Sequence, residues 1–246
     1  MSRRVDQKQA NRVVREQLAK EQQRKRTLWT TLVAVLVLVI AGLIGWSVWQ
    51  GQRSADFSVP AGTTNDGGEN SNGGNGALTV AGNGPVTVEV YLDFMCPACK
   101  QFEVAATPTL NKLIAENKIR LVWHTLGFLD GASTTHYSTR AASASACASD
   151  AGKLKAYGEA LFANQPQEGG PGLTDDQLID IGGPLGLNAP SFAACVRDGV
   201  YKGWVAHVND LAAERGVNGT PTVFVNGTLV EQPTPQNLEA AVNSAS

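Results

Sequence analysis

Residues 86–99 read Val86-Thr87-Val88-Glu89-Val90-Tyr91-Leu92-Asp93-Phe94-Met95-Cys96-Pro97-Ala98-Cys99. Apolar Val86, Val88, Val90 and Leu92 alternate with Thr87, Glu89, Tyr91 and Asp93, the period of two that marks a strand. Pro97 to about Glu116 follows as a helix, with Phe102, Leu110, Leu113 and Ile114 among its apolar positions. Ile119 to Trp123 is a second strand. Strand, helix and strand within about 40 residues suit a parallel βαβ unit. Two cysteines stand where the first strand gives way to the helix.

That location gives Cys96 and Cys99 a chemistry. A sulfur at a helix N-terminus faces unpaired N–H groups and the positive end of the helix dipole, which stabilise thiolate over thiol. Pro97 costs little there, since its missing N–H would have had no intrahelical partner. Cys96 is then the exposed attacking sulfur, and Cys99, one turn further in, resolves the mixed disulfide. A purely structural bond at this spacing closes too short a loop to stabilise much. A zinc site needs two more ligands nearby, and no second Cys-x-x-Cys exists. Redox chemistry is the expectation, with no metal.

Downstream, residues from about 134 to 215 form a block of interrupted helices: Thr134–Ser149, Lys153–Ala163, Thr174–Ile181, Ser191–Arg197 and Val200–Arg215. Pro166, Pro171, Pro184 and Pro190 punctuate them. Thr222–Val225 and Thr228–Val230 flank Asn226-Gly227, a hairpin signal. Thr234 caps a last helix reaching Asn243. The helical block holds the other two cysteines, Cys147 and Cys195. Four cysteines allow three pairings. Either these two are inert buried thiols or they bond to each other, and an oxidising compartment favours the bond.

Upstream, composition changes abruptly. Residues 50–77 are rich in Gly, Asn and Ser and read as a flexible linker. Leu28–Trp49 runs 22 residues without a charged side chain. As a helix it spans roughly 33 Å, enough for a hydrocarbon core of about 30 Å. Residues 1–27 carry nine basic and three acidic side chains, whereas residues 78–246 carry ten basic and sixteen acidic ones. A basic head beside an apolar span keeps the head in the cytoplasm and sends the body across. The head and the apolar run are both too long for an ordinary cleavable signal peptide. The acidic body argues against nucleic acid as a partner. The expected organisation is a basic segment (1–27), a transmembrane helix (28–49), a linker (50–77) and an α/β domain (78–246).

Asp93-Phe94-Met95-Cys96-Pro97-Ala98-Cys99, taken with Gly216-Val217-Asn218-Gly219-Thr220-Pro221-Thr222-Val223-Phe224-Val225-Asn226-Gly227, resembles the DsbA-like branch of the thioredoxin-fold superfamily, and membrane-anchored actinobacterial forms in particular. The resemblance covers about residues 78–246. It implies a thioredoxin fold carrying a helical insertion at about 134–215. It also implies a cis-proline at Pro221, with Thr220 before it, where backbone groups pair with an extended substrate segment. A second disulfide, matching Cys147 with Cys195, is implied as well.

Two departures stand out. Ala98 occupies the place where DsbA has a histidine. Val90 occupies the place where many relatives have a buried acid, with Glu89 one position off and facing the other way. The expected enzyme is therefore an oxidant weaker than DsbA but stronger than thioredoxin, between about -270 and -120 mV.

The function expected is an extracytoplasmic oxidoreductase that donates a disulfide from its Cys-Pro-Ala-Cys loop to exported proteins. It needs no cofactor and is reoxidised by a membrane protein of the VKOR or DsbB type. Two rivals share the sequence: a reductase or isomerase using the same dithiol, and a non-enzymatic binding module using the groove at Pro221. His124, His136 and His207 are dispersed and read as surface or packed residues.

Overall fold

A computed structural model describes residues 57–63 and 76–245. The strand read from residues 86–92 is the centre of a five-stranded sheet. Its strands are β1 (Leu78–Ala81), β2 (Val86–Leu92), β3 (Ile119–Thr125), β4 (Thr222–Val225) and β5 (Thr228–Leu229), in the order β1-β3-β2-β4-β5. β2 and β3 run parallel, as a βαβ unit requires, with Val90 beside Trp123 and Tyr91 beside His124. β1 and β4 pair antiparallel to β3 and β2. Helix α1 (Pro97–Ala115) makes the crossover between β2 and β3. Asn226 and Gly227 both take positive φ between β4 and β5, which a two-residue hairpin turn demands.

The helical block consists of α2 (Tyr137–Asp150), α3 (Leu154–Ala163), α4 (Asp175–Gly182), α5 (Pro190–Asp198) and α6 (Lys202–Glu214). It lies between β3 and β4 in the chain, so it is an insertion in a thioredoxin fold. α7 (Pro235–Ser244) closes the described chain. Thr174 and Gln177 form a reciprocal capping box at α4, and the Thr234 hydroxyl accepts the Asn237 N–H at α7. Both helices therefore start where the sequence places them.

Alternation along β2 decides which residues meet the core. Val86, Val88 and Val90 are buried on one face with Leu121 and Trp123 of β3 and Val223 and Val225 of β4. α3 approaches β3 so closely that a Cβ on Gly158 would lie 2.3 Å from the Trp123 ring. On the other face, Glu89 accepts from Arg215 at 2.9 Å and lies 3.3 Å from the His124 ring nitrogen, while Tyr91 stacks on His124. Val90 and Glu89 do face opposite ways. Burial alone pushes the Glu89 carboxyl up, but hydrogen bonds and charge from His124 and Arg215 outweigh it and hold the group down at about 2.

Two expectations change. β1 is a strand that no alternation announced. Residues 57–63, placed in the linker, lie packed on the domain. The Ala61 N–H donates to Asp150 at 2.8 Å, the Ser149 hydroxyl donates to the Ala61 carbonyl at 2.7 Å, Pro60 is buried and Phe57 rests on His207. The apolar Phe57 and Pro60 are diluted in a polar stretch but still pack on the domain, whereas Val59 stays exposed. The span at 28–49, the basic segment 1–27 and linker residues 64–75 lie outside the described residues. Among the described residues, no helix is long and apolar enough to cross a membrane.

Candidate active site

β2 delivers Cys96 to the end of the sheet, and α1 begins immediately after it. Cys96 is the helix N-cap, with extended backbone angles and Pro97 in the first helical position. Its carbonyl accepts the N–H groups of Cys99 at 3.1 Å and Lys100 at 3.2 Å, so the first turn closes around the motif. Pro97 and Ala98 face solvent. The Thr220–Pro221 peptide bond is cis, and the Thr220 carbonyl lies 3.3 Å from the Cys96 sulfur. Thr220, 124 residues beyond Cys96 in the chain, and Pro221 after it thus join the dithiol.

The expectation of an exposed attacking sulfur is corrected. Cys96 is only 7% exposed and Cys99 is 1% exposed. The order between the two is as expected, but the cis-proline loop and the active-site turn cover both. Each sulfur is a free thiol here.

The electrostatics separate the pair. A hydrogen bond from the Cys99 thiol is the largest influence on Cys96 and favours its anion. Burial opposes it, and donation from Thr220 and from the Cys99 and Ala98 amides adds to it, so Cys96 falls to about 5. The Thr220 carbonyl works the other way, since it accepts the thiol proton, but the donors prevail. Cys99 moves in the opposite direction: burial pushes its thiol far up, and its hydrogen bond to Cys96 and that sulfur's charge push it further. At neutral pH the reduced pair is one thiolate beside one thiol.

Two neighbours escaped the sequence reading. Asp93 is fully buried; its carboxylate accepts the Met95 N–H at 2.8 Å and the Leu129 N–H at 2.9 Å. Gln165, just beyond α3, donates from one amide nitrogen to the carbonyls of Phe94 at 3.0 Å and Cys96 at 2.9 Å. Asp93 had a signal, an acid at the end of an apolar strand beside the motif. Gln165 had none.

Cys147 and Cys195 are disulfide-bonded, joining α2 to α5. Among the described residues, no group of three or more His, Cys, Asp or Glu side chains is arranged to hold a metal ion.

One sulfur held as an anion and its neighbour held as a thiol are suited to exchanging disulfides. The thioredoxin family model matches residues 80–244, and the chain belongs to that family. Among solved structures, it is similar to a disulfide bond oxidoreductase, DsbG, and to DsbA, both from Mycobacterium tuberculosis and both in reduced form. Identities are 31% and 30%, each match covers 78% of this chain and 84% or 88% of the other, and the TM-score is 0.58 for both. A probable disulfide bond formation protein D of Bacillus cereus is 24% identical over 213 residues, 85% of this chain and 92% of that protein. The chain spans less than a third, 29%, of the serine/threonine-protein kinases that it also matches.

Proposed function

We propose that the enzyme donates disulfides to exported proteins through Cys96 and Cys99. The observation that carries this reading is the place of Cys96, at the N-cap of α1 with Cys99 one turn on and the cis Thr220–Pro221 bond beside its sulfur; donors packed around it there draw its thiol down to about 5. Thioredoxin's corresponding thiol lies at about 7 and DsbA's at about 3.5. A thiolate stabilised in the reduced enzyme makes the oxidised enzyme a better oxidant, so this protein falls between those two.

In the proposed cycle, a substrate thiolate attacks Cys96 in the oxidised enzyme. The bond between Cys96 and Cys99 breaks, and Cys99 leaves with the electron pair and takes a proton. A second substrate thiolate then attacks the substrate sulfur of the mixed disulfide and expels Cys96 as a stable anion. Thr220 and Pro221 offer backbone to an extended substrate segment beside the sulfur. Residues 28–49 tether the domain on the outer side of the membrane, and a VKOR- or DsbB-type membrane protein returns the dithiol to its oxidised state. The bond between Cys147 and Cys195 supports an oxidising compartment.

Equilibration with glutathione tests the direction of electron flow. The potential should lie between about -270 and -120 mV. A value at or below thioredoxin's rejects the oxidase reading and favours a reductase. Cys96→Ser should also abolish oxidation of a reduced, cysteine-containing client; undiminished oxidation would remove Cys96 from the mechanism.

A further inference from the structure

Beyond Cys99, α1 carries a stripe of residues that no step of disulfide exchange uses. Lys100, Glu103, Val104 and Pro108 recur at helical spacing on one side of α1 and, with Glu159 and Phe162 of α3, line an open groove of about 300 Å³. That volume is at the lower end of the range for ligand pockets, roughly 300–1,000 Å³. Phe162 is buried, whereas Val104 is 73% exposed, the most open of the large apolar side chains among the described residues. None of the lining residues belongs to the cis-proline loop, so this is a second surface, reached along α1 rather than across Thr220 and Pro221.

Two carboxyls mark the groove. Glu103 is 7% exposed and lines it. One Glu103 oxygen accepts the Thr107 hydroxyl at 2.6 Å, and the other has no hydrogen-bond partner among the described residues. Burial first raises the Glu103 carboxyl above its ordinary value. The Thr107 bond opposes the rise, the Glu159 charge on α3 adds to it, and the Lys155 charge opposes it again. The Lys155 ammonium is itself committed to Glu159. Pro108 adds a third acceptor: having no N–H, it leaves the Val104 carbonyl without the donor that the next turn of a helix supplies. A covered carboxyl, a neighbouring carboxylate and a bare carbonyl beside an apolar wall suit one kind of ligand, a cation on an apolar stem.

We propose that this groove is a docking site for exported clients that carry an arginine or lysine among apolar residues, a few positions from the reacting cysteine. The inference rests on the disulfide-donating reading above and adds to it a preference among clients. The cation reaches Glu103 and Glu159 while its stem and apolar neighbours lie on Val104 and Phe162. Arginine suits the site better than lysine, since its planar fork can serve a carboxyl and a carbonyl together. Lys100 stands between this point and the dithiol, and repels a cation placed too close to the cysteine. Distance then fixes the register. Glu103 follows Cys96 by seven residues, about 10 Å along the helix axis. An extended client covers that span in about three residues, and about four bring the stem over Val104.

The test uses the oxidised full chain and two reduced peptides of identical composition, each with a closely spaced cysteine pair. In one, arginine stands four residues from the pair; in the other, it stands next to the pair and the residue it displaced takes the fourth place. Their net charges are equal, so the acidic body attracts both alike. The first peptide should be oxidised with a kcat/KM about fivefold higher, the scale of one ion pair at a partly open site, and the gain should lie in KM. Val104→Lys, at an exposed position, puts a competing cation in the groove and should erase the preference. Glu103→Gln should erase it by removing the charge; should that variant fail to fold, Val104→Lys decides. Equal kcat/KM for the two peptides, or a preference that survives Val104→Lys, would overturn the proposal while leaving disulfide donation standing. Failure to oxidise either peptide would overturn both.

Discussion

Cys96 ionises because donors packed around it outweigh the burial that would keep it neutral, and the first of them is its own partner, Cys99. The position before Cys99 is Ala98, exposed and without a polar group on its side chain. An imidazolium there would add positive charge close to the thiolate. Ala98→His should therefore raise the acidity of the Cys96 thiol roughly tenfold, about 1.4 kcal/mol. It should also make the oxidised enzyme a stronger oxidant. Thiolate absorbance against pH, with the glutathione equilibrium, checks both; an unmoved titration would mean that residue 98 does not sense the sulfur. The place of Cys96 was legible in the sequence, since a proline after the first cysteine and apolar spacing beyond it put the sulfur at a helix start. Its 7% exposure was not legible, because Thr220, whose carbonyl lies against the sulfur, is brought in by the rest of the fold.

Secondary elements were legible in proportion to their local patterns. Helices α1 to α7 and the strands β2, β3, β4 and β5 declare themselves through apolar spacing, caps and the Asn226-Gly227 turn. β1 has only four residues and exists by pairing with β3, Leu78 beside Trp123, a partner remote in the chain. Residues 57–63 were hidden for a similar reason, since their anchors are Ser149 and Asp150 at the end of α2. Gln165 is the most consequential case. It ties the exit of α3 to the start of α1, so the insertion helps to set the active-site turn. Gln165→Ala should cost about 1–2 kcal/mol, the value of two carbonyl contacts partly replaced by water. It should also change the rate at which Cys96 is alkylated. Gln165→Glu should be worse, because a carboxylate would face two carbonyl oxygens. Denaturant melts and alkylation kinetics on both variants check this. A stability loss with unchanged alkylation would confine Gln165 to holding the fold.

Across the whole molecule, two sulfur pairs have different tasks, and their surroundings keep them apart. Cys96 and Cys99 are neighbours on one helical turn, both buried, with the cis Thr220–Pro221 bond beside Cys96. Cys147 and Cys195 join α2 to α5 across a separation of 48 residues. By the chain-entropy account, closing a loop of that length stabilises the fold by about 4 kcal/mol, a sizeable part of the roughly 5–15 kcal/mol typical of a domain. Replacing both Cys147 and Cys195 with serine should therefore lower the denaturant midpoint by the equivalent of about 2–4 kcal/mol. The slope of the transition is not the readout, because the unfolded chain without its cross-link exposes more surface. The midpoint and direct thermal melts carry the test. Cys96 should keep its low thiol titration in that variant wherever the domain remains folded, since none of the donors that hold its charge lies on α2 or α5. A midpoint equal to that of the parent would mean that packing of the insertion, through Tyr157, Phe192 and Trp204, suffices without the cross-link. A displaced Cys96 titration would instead reveal that the distant bond sets the geometry of the active-site turn.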